Sequence, residues 1–240
     1  ALTTGAGNVA IGYNALTSIT TASENVAIGS GSMGVNVFGV RSVAIGSAAL
    51  AAMAPADGSN SVYNVAIGYH AGESITSGYN NTIIGGEAGD ALTTGGNNII
   101  IGYAAAASDV EVNNEITLGD ANITAIRCAD QSIAALSDRR DKADIKDSSY
   151  GLDFINTIRP VEFTWDFRPE NMAEAKQGKK RVGFIAQELQ EAMPNSENEI
   201  LDLVYNISDE RIEAKYGNLI PILVKAIQDL SEKVKVLENK

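Results

Sequence analysis

The chain has 240 residues, enough for two ordinary domains and too few for two large ones, and 45% of them are hydrophobic, so neither half reads as disordered. Its formal charge of -12 argues against a nucleic-acid partner, and apolar runs such as Ile99 to Ala107 fall short of the roughly 20 residues of a membrane-spanning helix. With a single Cys128 and a single His70, the composition offers no intrachain disulfide, no metal cluster and no cofactor site; Cys128 reads as a small buried apolar side chain. No signal peptide or membrane anchor is visible. Residue 1 already falls within a repeat, so the sequence reads as the C-terminal piece of a longer chain.

Residues 1 to 137 hold 19 of the 23 glycines, no lysine, ten acidic and two basic residues. Short apolar runs ending in glycine recur through them: Asn8-Val9-Ala10-Ile11-Gly12, then runs ending at Gly29, Gly46, Gly68, Gly85, Gly102 and, in degenerate form, Gly119. The glycine spacings are 17, 17, 22, 17, 17 and 17. So short a unit holds one or two strands and closes no core alone; it must stack on its neighbours as a solenoid. Within each unit Val and Ile point one way and the central small residue the other. The small face suits close approach by another coil or subunit, and the glycine allows a sharp corner. The leading Asn is expected to stack coil on coil in a hydrogen-bonded ladder. Seven coils at about 4.8 Å per coil would span roughly 30 to 35 Å.

The extra five residues between Gly46 and Gly68 fall around Ala54 to Tyr63, and a break in a strict period is where binding contacts gather. His70 and the tyrosines Tyr13, Tyr69, Tyr79 and Tyr103 lie near strand corners, where they either stack on sugars or cover the corner. The repeats resemble the parallel β-roll heads of bacterial trimeric adhesins and the repeat regions of phage tail fibres, over about residues 5 to 120.

At the seam between the halves stands Ser137-Asp138-Arg139-Arg140-Asp141-Lys142. A hydroxyl beside a peptide bond at a domain junction, with an amine five residues on, is the minimum kit for one self-cleavage. The same residues also read as a helix start, with Ser137 as N-cap and Asp138 and Asp141 set against the helix dipole. Neither a regular helix nor a strand brings side chains five apart together, so the pair needs a bend or a second subunit. Arg139 and Arg140 disfavour a charged amine beside them, and Asp138 and Asp141 oppose that effect.

Further on, Tyr150 to Ile158 reads as a helix and Arg159 to Trp165 as an alternating strand. Arg181 to Pro194 reads as a strand running into a helix that Pro194 stops. The last segment sets Ile220, Leu223, Ile227, Leu230, Val234 and Leu237 at spacings of three and four, a coiled-coil seam. Ile or Val at one seam position with Leu at the other is, taken alone, the two-stranded pattern.

Four blocks give residues 137 to 240 a further resemblance: Ser137-Asp138 with Lys142; Arg159-Pro160-Val161 with Phe163 and Trp165; Gly183-Phe184-Ile185-Ala186-Gln187-Glu188 with Pro194; and Tyr216 to Gln228. In their order and spacing they resemble the C-terminal intramolecular chaperone domain of endosialidases and phage tail fibres, a self-cleaving peptidase family. The stretch from Glu115 to Ile126 resembles the shaft end that precedes such domains.

The resemblance implies a homotrimer whose C-terminal domain, residues 138–240, templates a fibre formed by residues 1–137 and then cuts itself off at the Ser137–Asp138 bond. Ser137 would be the nucleophile and Lys142 its base. Gln187 and Glu188 are the next candidates for orienting the site, although a strand-to-helix junction also accounts for them. The expected fold is a trimeric, mainly β solenoid followed by a small α+β domain ending in a coiled-coil helix. The expected role is a distal tail-fibre segment of a virion, assembled in the host cytoplasm, that meets a cell-surface receptor such as a glycan. Two alternatives remain at this point. A trimeric bacterial surface adhesin would share the repeats but end in a membrane barrel. Part of a polysaccharide-degrading tailspike would need paired acidic residues, and Glu73, Glu87 and Asp90 form no recognisable pair.

Overall fold

The computed structural model describes residues 4–56, 62–129, 133–166, 176–193, 198–208 and 211–239. The middle of the expected insertion, 57–61, lies outside the described residues, as does Pro194. The chain divides into two compact units after Thr124.

In the first unit seven three-residue strands, β1 (Val9–Ile11), β2 (Val26–Ile28), β3 (Val43–Ile45), β4 (Val65–Ile67), β5 (Thr82–Ile84), β6 (Ile99–Ile101) and β7 (Ile116–Leu118), form one parallel sheet in sequence order. The register is a direct copy from coil to coil: Val9 faces Val26, Ala10 faces Ala27, Ile11 faces Ile28. The longer step between Gly46 and Gly68 leaves it intact, Val43 pairing with Val65 and Ile45 with Ile67. This is a parallel β-solenoid of about six turns.

The alternation expected within each strand is present, and its small residue faces inward. Ala27, Ala44, Ala66, Ile83 and Ile100 are fully enclosed, whereas Ile67, Ile84, Ile99 and Ile101 look outward. The reason is volume. Behind β1, β2 and β3, whose central strand residue is Ala, the turn residue four beyond the corner glycine is large: Leu16, Met33 and Leu50, all buried. Four beyond Gly68 and Gly85 that position is Gly72 and Gly89, which lie against Ile83 and Ile100, the larger inward residues of the coils that follow. A Cβ at Gly89 would stand 3.1 Å from Ile100 Cδ1 and 3.2 Å from Ile83 Cδ1. Large and small thus trade places across the coil, keeping it close-packed. These turn residues are left-handed whether or not they are glycine, with φ of 50° at Leu16 and 47° at Met33, a conformation that costs roughly 1–2 kcal/mol per non-glycine residue. Coil stacking holds it in place.

The asparagine ladder is present. Asn25 N–H donates to Asn8 Oδ1 (3.0 Å), Asn81 N–H to Asn64 Oδ1 (3.0 Å) and Asn98 N–H to Asn81 Oδ1 (3.0 Å). Each amide also donates Nδ2–H to a turn carbonyl fourteen residues on: Asn25 to Gly39 O, Asn64 to Gly78 O, Asn81 to Gly95 O. The rung at Ser42 keeps the chain of contacts, its Oγ accepting from Asn64 N–H at 3.2 Å. Buried polar groups are thereby satisfied in nearly every rung, as a closed interior requires.

The second unit is smaller and mixed. The expected helix from Tyr150 is a single turn, α1 (Leu152–Ile155), because Gly151 opens it without a side-chain cap and Asn156 closes it. Strands β8 (Val161–Thr164) and β9 (Lys180–Gly183) pair antiparallel, and α2 (Ala186–Ala192) follows. A short α3 (Asn198–Leu201) leads into a bulged hairpin of β10 (Val204–Ser208) and β11 (Arg211–Ala214), a feature the sequence reading did not assign. A 3₁₀ turn, Tyr216–Asn218, enters the 20-residue α4 (Leu219–Glu238), whose Pro221 sits in the first turn, where a missing N–H costs nothing.

Met193, Leu201, Leu203, Leu219 and Ile222 form the core, flanked by Tyr150, Phe154, Ile155, Ile158, Phe184 and Val204. Asp229 on α4 accepts from Leu152 N–H (3.1 Å) and pairs with Lys225, which ties α1 to α4. Cys128, expected inside, is exposed, as are all the residues from 121 to 129 around it.

Candidate functional site

Residues 133–149 are exposed throughout. Asp138, in extended conformation (φ -68°, ψ 137°), begins a three-residue 3₁₀ turn, Arg139–Asp141, and its carboxylate accepts from Arg140 N–H at 2.9 Å. The capping role that the sequence offered to Ser137 therefore falls to Asp138, one residue on. The Arg140 guanidinium grips the same carboxylate through Nε (3.0 Å) and Nη2 (2.6 Å) and holds its pKa below the ordinary aspartate value. Asp138 is thus occupied by Arg140 rather than by the lysine nearby.

The turn ends at Lys142, back in extended conformation (φ -127°, ψ 135°), whose N–H donates to Arg139 O. Extended flanks on both sides of one tight turn supply the bend that regular structure lacks. Lys142 Nζ donates to Ser137 Oγ at 2.5 Å and lies 3.5 Å from Ser137 O. Hydroxyl, amine and the carbonyl preceding Asp138 are brought together within one chain.

Gln187 and Glu188 open α2. Gln187 is exposed, and Glu188 is engaged by Arg159, whose Nε donates at 3.1 Å and whose Nη2 pairs with the other oxygen. That partner lowers the Glu188 pKa. Among the described residues no hydrogen bond joins Gln187 or Glu188 to Ser137 or Lys142. They stand at the strand-to-helix junction, and Glu188 links the Arg159 block to the α2 block. Tyr216 makes the corresponding link to the last block: its hydroxyl accepts from Phe184 N–H at 3.1 Å and its ring meets Phe184 edge-on. The fit is close, since a Cβ on Gly183 would stand 2.7 Å from the Tyr216 hydroxyl. Neither partner was singled out from sequence, although both lie in the quoted blocks.

Residues 137–196 match the family model of the chaperone of endosialidase. The match opens at Ser137 and covers β8, β9 and α2. Neither the curated proteins nor the solved structures returned a match to the chain. The second unit therefore carries an endosialidase-type chaperone domain, a peptidase family that implies self-cleaving chaperone activity. Together with the solenoid, it fits a tail-fibre or tailspike-like role in trimer assembly.

In the second unit α4 presents two apolar stripes. Leu219, Ile222 and Ala226 are buried on the core, whereas Ile220, Leu223, Ile227, Leu230, Val234 and Leu237 remain 43% to 68% exposed. An open cleft between α1 and α4, lined by residues including Leu152, Asp229 and Lys233, contains neither Ser137 nor Lys142. Among the described residues no group of three or more His, Cys, Asp or Glu side chains could hold a metal ion, and no helix is long and apolar enough to cross a membrane.

On the solenoid, Tyr13, Tyr69 and Tyr103 project from the residue after the corner glycine and are more than half exposed. The rings of Tyr69 and His70 lie 3.9 Å apart, and His70 Nδ1 is 2.5 Å from Glu73 Oε2. Tyr103 hydrogen-bonds to Glu87, which raises its pKa. Tyr79 covers Gly96, where a Cβ would stand 2.7 Å from the ring.

Proposed function

We propose that this chain is a distal tail-fibre segment for host-surface attachment, whose chaperone domain drives homotrimer assembly and then releases itself at the Ser137–Asp138 bond. The observation that carries the reading is the 2.5 Å hydrogen bond between Lys142 Nζ and Ser137 Oγ at the first residue of the family match. With Lys142 as free amine, it takes the hydroxyl proton while Oγ attacks the carbonyl carbon of the scissile bond, and it then passes the proton to the Asp138 nitrogen as that bond breaks. Water hydrolyses the resulting ester. A single event needs little speed: about 10⁻³ s⁻¹ corresponds to a barrier of roughly 21 kcal/mol.

Assembly as a trimer is supported by two unpartnered apolar surfaces, the α4 seam and the outer sheet face with its columns of Val and Ile. The aromatic corners at Tyr69 with His70 and at Tyr103 with Glu87 are the proposed glycan contacts, rings for stacking beside polar groups for hydroxyls. Intact mass of the purified chain beside Ser137→Ala tests the reading. Fragments ending at Ser137 and starting at Asp138 are expected in the parent and absent in the variant. Full-length mass in both would leave Ser137 and Lys142 as a surface hydrogen bond.

A further inference from the structure

The position of Ser137 relative to the bond it is proposed to cut restricts which copy of that bond it can attack. Ser137 Oγ is joined to its own carbonyl carbon through Cβ and Cα alone, so attack there closes a four-membered ring. Such a ring compresses tetrahedral and trigonal centres to about 90°, far beyond the few degrees that bond angles yield cheaply. It also denies Oγ an approach along the carbonyl's line of attack. A serine acting within its own chain would instead reach the preceding bond, Leu136–Ser137, through a five-membered ring.

Each chain nevertheless holds a complete dyad, Lys142 Nζ lying on Ser137 Oγ at 2.5 Å. It also presents the scissile bond openly. Leu136 is wholly exposed, Asp138 is extended, and the Asp138 carboxylate is drawn aside by Arg140. Nucleophile and accessible substrate coincide in sequence, so in an assembly of identical chains around a common axis each copy can offer its bond to the next copy's dyad.

Resting on the self-cleavage reading above, we infer that the cut is made between chains: Ser137 of one copy attacks the Ser137–Asp138 bond of a second copy. Oγ of the first copy bonds to the Ser137 carbonyl carbon of the second, and Lys142 of the first takes the hydroxyl proton. The carbon–nitrogen bond breaks, and the Asp138 nitrogen leaves as an amine carrying that proton. An ester then joins the two chains. Water attacks it, leaving the second copy with a carboxylate at Ser137 and returning a proton to Oγ of the first. Release is thereby conditional on assembly, since an isolated chain holds the tool and lacks a reachable bond.

The test is co-expression of the full-length parent with a tagged full-length Lys142→Ala chain, recovery through the tag, and intact mass of both chains in the recovered assemblies. Expressed alone, the variant stays uncut. In mixed assemblies the variant is expected to be cut before Asp138, in a fraction that rises with the proportion of parent. A tagged Ser137→Ala chain should behave alike, guarding against an effect peculiar to Lys142. Parent cut and both variants intact in the same assemblies would place attack within the chain and overturn the inference while leaving self-cleavage standing. So would fragments that begin at Ser137. Parent left uncut, or failing to accompany the tagged chain, would overturn the inference together with the reading beneath it.

Discussion

In the solenoid every inward strand position from Ala27 to Ile100 is closed off completely, while in the second unit α4 leaves one aliphatic stripe uncovered along its length. The solenoid buries its apolar groups by repetition: each coil covers the next, and the amides of Asn25, Asn64, Asn81 and Asn98 carry polar satisfaction along with it. The second unit has one modest core around Leu203 and Leu219 and is held otherwise by surface pairs such as Arg159 with Glu188. A repeat array is tolerant of sequence at its surface and intolerant at its stacked positions, whereas a small domain with uncovered apolar surface depends on partners.

The largest expected effect that separates the two regions is at the corner glycines. Gly68 has φ of 142°, and a Cβ there would land on the carbonyl oxygen of Gly85 in the next coil. Gly68→Ala should cost more than about 3 kcal/mol, since the backbone conformation alone costs roughly 1–3 kcal/mol. Gly217→Ala in the second unit, where an added Cβ meets nothing within 4 Å, should stay within about 0.5 kcal/mol. Denaturant unfolding followed in the far ultraviolet measures both.

Next comes α4, where the two stripes should respond differently. Ile222→Ala removes a buried side chain and should destabilise the second unit by about 2–4 kcal/mol. Ile227→Ala, at a position 67% exposed in one chain, should leave the fold of a single chain nearly unchanged and weaken self-association, read by light scattering against concentration. Equal effects of the two on folding would remove the distinction.

The smallest effect is with pH. Hydrogen bonding to Lys225, and then to Leu152 N–H, holds the Asp229 carboxyl below its usual value. A lowered folded-state value gives stability that is full above the unfolded value, about 3.9 for aspartate, and is lost as pH falls through the folded one. Below about pH 4 the α1–α4 tie should weaken, while the ladder amides do not titrate. The single Trp165 lies in the chaperone domain, so its fluorescence should change at a higher pH than the far-ultraviolet signal of the sheet.

The strands and ladder of the solenoid were legible because one physical solution recurs in phase, so Asn25, Ala27 and Gly29 each announce their counterparts 17 residues on. Which strand face lies inside was not, since period two defines two faces and the choice is made by the volume at Leu16, Met33 and Leu50 on the opposite wall. The helix of α4, with Ile220 to Leu237 along one stripe, was legible from spacing, while the β10–β11 hairpin was not, its pairing being short and bulged between Asn206 and Ser208. At the site, the approach of Ser137 to Lys142 depends on where a 3₁₀ turn begins. A shift of one residue, from Ser137 to Asp138 as cap, is below what residue preference resolves.

The last rung of the ladder differs from the others. Each earlier rung hands a side-chain oxygen forward to the coil that follows, and Asn98 Oδ1 still does so, accepting from Glu115 N–H at 2.9 Å. Glu115 passes nothing on. A carboxylate has no N–H to donate, and its Oε1 is consumed within the last coil by Ser108 N–H and the Thr117 hydroxyl. One change of side chain, from amide to acid, thus marks the last rung of the seven-stranded stack.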